Sequence, residues 1–233
     1  MQVAIISDIH GNLSALEAVF TKIDELKVDA IHCLGDIVGY GPFPNECVDL
    51  VRTRCLFTVK GNHDSGLLGE TPTNYFNQHG KAAIRWTKDK VTPQNLEYLR
   101  SLPEKVVDDK FTLVHSSPLE PSEWTYLMNW SQAEENFAAF STQFCFIGHT
   151  HVPVVIGEDS TINAFEAGKR HIINVGSVGQ PRDGNPNAAF GLLDLKEEAY
   201  TLVRVPYDIS KTAKAIEEAG LPIFLARRLS QGI

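Results

Sequence analysis

Five times in its first 151 residues this chain runs a short apolar stretch straight into a polar motif. Val3 to Ser7 leads into Asp8-Ile9-His10, and Ala30 to Leu34 into Gly35-Asp36. Leu56 to Val59 precedes Gly61-Asn62-His63-Asp64, Phe111 to Val114 precedes His115, and Phe144 to Ile147 precedes Gly148-His149-Thr150-His151. Continuous apolar runs this short predict strands buried on both faces. In an α/β sheet the carboxyl ends of such strands meet at one edge, so motifs far apart in sequence converge there.

Helical segments separate the strands. Leu13, Leu16, Val19, Ile23 and Leu26 fall at helical spacing, with Asn12 as N-cap. Pro44 opens a helix through Val48 and Val51, and a further one is predicted from Tyr75 to about Lys90. Thr92-Pro93 starts another, with the proline at the first helical position. Val106-Val107 and Phe111 to Val114 predict an antiparallel hairpin. Ser131 and Glu134 read as a capping box for a helix through Phe137 and Phe140. Beyond residue 151 the character changes. Val152 to Ile156, His171 to Val175, Ala189 to Leu195 and Tyr200 to Val205 are β-like and mostly antiparallel. Ser210 caps a closing helix that Gly220 ends, and another helix follows Pro222. No repeat or linker interrupts the 233 residues, so the expectation is one domain, 1–233, of two packed sheets with helices outside.

The motifs bring together two carboxylates, several imidazoles and an amide oxygen. A mixed nitrogen and oxygen set suits borderline divalent ions such as Mn, Fe, Co, Ni or Zn. It lacks thiolate, unlike a structural zinc knuckle, and is too rich in histidine for a dedicated calcium or magnesium cage. The donors are too many for one ion and suit two that share a carboxylate. Two such ions a few ångströms apart can clamp an in-line displacement at phosphorus and lower the pKa of water. His32, His79 and His171 read instead as ordinary core or surface histidines. The four cysteines form no CxxC pair and read as free thiols.

The ordered motifs resemble the calcineurin-like metallophosphoesterase superfamily, whose pattern is DxH, GD, GNH[DE], H and GHxH. The stretch Asn174-Val175-Gly176-Ser177-Val178-Gly179-Gln180-Pro181-Arg182 is similar to a strand and loop of small bacterial members. The resemblance implies a four-layer α/β/β/α sandwich of two mixed sheets flanked by helices. It implies that Asp8, His10 and His151 bind a first metal, that Asn62, His115 and His149 bind a second, and that Asp36 bridges them. It further implies attack by a hydroxide held on the metals, with His63 as general acid or transition-state donor. The chain departs from the family's protein phosphatases, which extend the second motif as GDxVDRG. Gly39 stands in place of the aspartate that orients the catalytic histidine, and Tyr40 in place of the phosphate-binding arginine. The partner of His63 is thus open, with Asp64 a candidate.

Arg182 and Asn12 are the candidate substrate-binding residues. Tyr40, Trp124, Tyr126 and Trp130 are candidates for stacking on a base or for core and lid packing, and 116–130 for a loop over the site. The expected activity is a metal-dependent phosphodiesterase acting on a small phosphorylated compound. The alternatives are a dinucleoside polyphosphate hydrolase, a protein phosphatase or a non-catalytic scaffold. The net charge of −8 argues against a nucleic-acid polymer as partner. No window approaches the apolar length of a membrane span or a signal peptide, which predicts a cytoplasmic protein.

Overall fold

The computed structural model describes all residues, Met1–Ile233. The first sheet contains β1 (Gln2–Ile6), β2 (Ala30–Cys33), β3 (Phe57–Thr58), β9 (Ala188–Asp194) and β10 (Ala199–Val205), in the order β10-β9-β1-β2-β3. The second contains β4 (Lys105–Val107), β5 (Phe111–Val114), β6 (Phe144–Ile147), β7 (Val154–Gly157) and β8 (His171–Asn174), in the order β4-β5-β6-β8-β7. Both sheets are mixed: β1, β2 and β3 run parallel, and β9 closes against β1 antiparallel, pairing Val3 with Leu193.

The alternation along β1 explains the layering. Side chains point to opposite faces of a strand at successive residues. Val3 and Ile5 enter the core between the sheets, with Leu113, Phe144, Phe146 and Ile173. Ala4 and Ile6 enter the core under α1 (Leu13–Leu26) and α2 (Pro44–Arg54), with Leu16, Val19, Val48 and Val51. Phe144, Phe146 and Phe190 are fully buried, and each contributes roughly 1.5–3 kcal/mol by leaving water. The outer face of the second sheet is covered by Leu127, Ala133, Phe137 and Phe140, from α6 (Trp130–Ala133) and the segments around it. The result is the four-layer sandwich.

The second half is mostly antiparallel, as expected: β7 pairs antiparallel with β8, and β9 with β1 and β10, while β8 pairs parallel with β6. The chain lays β7 at the sheet edge first and returns by a hairpin into the slot beside β6. Several other local expectations are corrected. The capping box at Ser131 does not form: Asn129 accepts from the Gln132 amide, and after one turn the helix tightens to 3-10 over Glu134–Ala139. The C-terminal α7 (Ile209–Glu218) is capped by Asp208, not Ser210. The segment from Tyr75 is broken at Phe76, and α4 (Gln78–Lys88) starts on an Asn77 cap. A short helix not foreseen, α3 (Asn62–Leu68), begins on the Gly61-Asn62-His63-Asp64 motif itself. Thr92 caps α5 (Pro93–Ser101) as expected, and α8 (Ile223–Arg227) follows Pro222. All four cysteines are free, and no helix is long and apolar enough to cross a membrane.

Candidate metal centre

The motif loops are stitched to one another by backbone. The Asp8 amide donates to the Gly35 carbonyl at 3.1 Å, His10 to Asp36 at 2.9 Å and Gly148 to His115 at 2.8 Å. The glycine-rich loop after β8 braces them from below. Val178 and Gly179 donate to the carbonyls of Ser7 and Asp8, each at 2.9 Å, and the Ser177 hydroxyl donates to the Asp8 carbonyl at 2.8 Å. Asn174, at the end of β8, donates to the Gly148 carbonyl and the Thr150 hydroxyl. The stretch from Asn174 to Gly179 is thus largely a buttress. Asp8, His10, Asp36, His149 and His151 all have left-handed backbone, with φ between 51° and 66°. Non-glycine residues adopt it at a cost of order 1 kcal/mol or more each, held here by these hydrogen bonds.

The side chains gather in two groups that share Asp36. The first is Asp8, His10, Asp36 and His151, and the second Asp36, His115 and His149; all are buried. His151 Nε2 lies 3.1 Å from His10 Nε2 and 3.3 Å from Asp8 Oδ1. His115 Nε2 lies 3.2 Å from Asn62 Oδ1. Donors at ~2.1 Å from one ion stand roughly this far apart. Asp8 Oδ1 is fully buried with no hydrogen-bond partner, and an oxygen so placed is costly unless a cation meets it.

Backbone carbonyls fix the imidazole tautomers, because a carbonyl only accepts. His10 Nδ1 donates to Val38 at 3.1 Å, His115 Nδ1 to Leu34 at 2.8 Å and His151 Nδ1 to Gln180 at 2.6 Å. Each therefore turns Nε2 inward as the donor atom. His149 is reversed: its Nε2 donates to the Trp124 carbonyl at 2.8 Å, leaving Nδ1 for the site. Burial lowers His10 well below the usual range and, with His115, takes His149 down to about 3. Burial alone would raise Asp8 and Asp36, but His151 holds the first and His115 the second below the usual carboxylate range. His10 and His149 are therefore neutral beside ionised carboxylates, the forms that ligate a cation, whereas His115, which burial would lower, is raised by Asp36 to about 9 and releases a proton when it binds one.

His63 lines the adjoining cavity of about 260 Å³ with Tyr40, Trp124, Tyr126 and Arg182. Its Nδ1 is buried without a partner and faces Gly39, where a Cβ would overlap that nitrogen. Asp64 does not supply the missing partner, and that expectation is corrected. Its Oδ1 accepts from the amides of Ile37 and Val38, and its Oδ2 from Gly61. A carboxylate committed to three backbone donors holds loops, not a catalytic ring.

The candidate substrate residues divide. Arg182 reaches the cavity, its Nη2 donating to Gln180 Oε1 at 2.8 Å and its guanidinium carbon 5.9 Å from the Tyr40 ring centre. Asn12 does not line that cavity. Its Oδ1 accepts from the Ala15 amide and the Thr212 hydroxyl, and its Nδ2 donates to the Gly179 carbonyl, so its polar atoms serve the helix cap and the loop. Trp130 packs against Phe137, while Glu123, Trp124 and Tyr126 of the 116–130 segment line the cavity. Thr71, Tyr75, Phe76 and Asn77 complete the wall and were not singled out in the sequence. They sit around the break before α4, where no periodicity marks them.

A nitrogen and oxygen donor set at the carboxyl edge of two packed mixed sheets defines a metal-dependent phosphoesterase. Residues 1–198 match the calcineurin-like phosphoesterase superfamily domain. An uncharacterised protein of Methanocaldococcus jannaschii is 41% identical over 241 aligned residues, covering 99% of this chain and 98% of its own. A metallophosphoesterase structure from Sphaerobacter thermophilus superposes with TM-score 0.89 at 43% identity, covering 100% of this chain and 99% of that one. A hypothetical protein of Pyrococcus horikoshii superposes with TM-score 0.84 at 26% identity, covering 100% and 98%. The chain belongs to the calcineurin-like phosphoesterase superfamily.

Proposed function

We propose that the protein is a dinuclear phosphodiesterase acting on a small phosphorylated compound. One observation carries the reading. Asp36 Oδ2 lies 3.5 Å from His10 Nε2 in the first group and 3.5 Å from His115 Nε2 in the second. An oxygen so shared suits a carboxylate bridging two ions. Asp8, His10 and His151 would hold one ion with Asp36, and Asn62, His115 and His149 the other. Bound divalent ions would supply Lewis-acid neutralisation of phosphoryl oxygens and a lowered pKa for water. Manganese, iron, zinc, cobalt and nickel all suit this donor set.

The chain's own residues then have separate tasks. Arg182 receives a phosphate oxygen at the cavity wall, where its buried Nε lacks a partner. His63 exchanges a proton with the leaving oxygen through Nε2, since Nδ1 is closed off against Gly39. Burial takes His63 down to about 4. Close approach of the Gly39 backbone leaves no room for the carboxylate that orients the histidine in the family's protein phosphatases, which favours a small diester over a phosphoprotein.

The test combines metal analysis with a panel of phosphate esters. Two metal equivalents per chain and preference for bis(p-nitrophenyl) phosphate over p-nitrophenyl phosphate are expected. A single equivalent at saturation sinks the dinuclear reading, and dominant monoester hydrolysis sinks the diester preference. Asp36→Ala should lose metal and activity together. His63→Ala should lower kcat about 100-fold or more with metal content kept, the scale of a lost general acid; metal loss in that variant would show that His63 is a ligand.

A further inference from the structure

The cavity beside the metal centre has aromatic lining that lies outside the hydrophobic core. Tyr75, Trp124 and Tyr126 all line it, and none belongs to a hydrophobic core cluster. Tyr75 is 68% exposed and Tyr126 46%. By contrast Tyr40 and Trp130, the other aromatics noted above, are packed against core clusters. A single exposed tyrosine is ordinary, but two exposed tyrosines and a half-buried tryptophan lining one cavity offer aromatic surface that something flat can cover.

The two exposed rings come from segments that are fastened together. Tyr75 follows α3 and Tyr126 follows β5. The Trp124 indole N–H donates to Thr71 Oγ1 at 2.9 Å, and Thr71 Oγ1 shares a hydrogen bond of 2.8 Å with Ser65 of α3. Trp124 also holds His149 through its carbonyl, so the wall is fixed relative to the metal donors. Polar groups in the same wall are of both kinds. Asn77 Oδ1 is used by the amides of His79 and Gly80, leaving its NH2 to donate. Glu123 is a carboxylate, which accepts. A plain aryl ring offers neither an acceptor nor a donor at its edge, whereas a nucleobase offers both. The exposed Glu123 repels further phosphates, which favours one nucleoside over two joined by a polyphosphate.

We propose that the substrate is a phosphate ester of a single nucleoside, its base seated against Tyr75 and Tyr126 and its phosphate at Arg182 and the metal donors. This rests on the phosphoesterase reading for the phosphate end only. Binding of adenosine 5′-monophosphate and of ring-free glycerol 3-phosphate to the metal-loaded protein is measured by calorimetry, beside a hydrolysis panel of nucleoside and alkyl phosphodiesters. The nucleotide should bind at least about tenfold tighter, the scale of one base stacked on an aromatic ring. Tyr75→Ala and Tyr126→Ala should each bring that ratio toward one, and Tyr75→Phe and Tyr126→Phe should keep it. Equal affinity for the two ligands in the wild type overturns the proposal. So does weakening of both ligands to the same degree in the alanine variants. A nucleotide preference without hydrolysis of any ester keeps the base site and instead removes the phosphoesterase reading, so the two failures are distinct.

Discussion

At the scale of single residues, the site depends on side chains whose every polar atom is assigned. Asn12 is the clearest case outside the metal groups. It caps α1, and it joins α1 to Thr212 of α7 and to the loop carbonyl of Gly179. Asn12→Ala should cost about 1–2 kcal/mol of stability, read from denaturant unfolding, since it loses a cap and strands buried partners. Its KM should stay within about twofold of wild type. The sequence marked Asn12 as either cap or substrate residue, and only the positions of Gly179 and Thr212 decide between them. The convergence of the seven candidate metal-binding residues was legible for a different reason. Each ends or closely follows an apolar run, and strand ends in such a sheet converge whatever the loops between them do. The tautomers were not legible, because the carbonyls that set them belong to Leu34, Val38, Trp124 and Gln180, residues with no motif of their own.

Elements were read well where the pattern was periodic and poorly where caps compete. The strands and α1, α2 and α5 lie close to their predicted places. Ser131 lost its cap to Asn129, and Ser210 lost to Asp208, because either residue type can accept from the first-turn amides and tertiary packing sets the start. The helix α3 escaped notice because it is seven residues long with Gly66 inside it. Its placement matters, since it starts the wall that ends at Tyr75. Trp124 fastens that wall to the segment after β5. Trp124→Phe keeps the ring and the backbone carbonyl but removes the indole donor. Amide hydrogen exchange across 71–77 and 119–129 should then speed up by about five- to tenfold, the value of one neutral hydrogen bond. Unchanged exchange in both segments would mean that the bolt carries no load.

At the scale of the whole molecule, the metal groups join the two sheets. Asp8 and Asp36 follow strands of the first sheet, and His115, His149 and His151 follow strands of the second. Ions held there would link the halves of the sandwich, and ligand binding only to the folded state adds stability by mass action. Removing metal with a chelator should lower the unfolding midpoint, by the equivalent of about 4 kcal/mol when free metal had been a thousandfold above Kd. An unchanged midpoint would separate the centre from the fold. A second whole-molecule property is acid sensitivity. His32 lies between Phe57 of the first sheet, on which it stacks, and the tilted ring of Phe111 of the second, with neither ring nitrogen hydrogen-bonded. Burial brings it down to about 4, against an ordinary value near 6.5. The unfolded chain therefore binds the proton first. Its contribution to stability is complete above pH 6.5 and is lost as pH falls toward 4, at up to about 1.4 kcal/mol per pH unit. Urea midpoints of His32→Phe between pH 7 and 4.5 should fall less steeply than those of the wild type; parallel curves would assign the acid sensitivity elsewhere.

The bracing of Asp8 by Ser177, 169 residues further along, also sets a timetable for synthesis. A chain emerging from the ribosome exposes Asp8, His10 and Asp36 early, while their buttress and the strand β9 that closes β1 are still unmade. Contacts of such long sequence separation form late and slowly. The first half therefore leaves the tunnel with an open sheet edge and an incomplete ligand set. Assembly of the candidate metal site becomes a late event, near the end of translation, because a chain ending before residue 174 carries all seven candidate donors but not Asn174 and Ser177, which brace their loops.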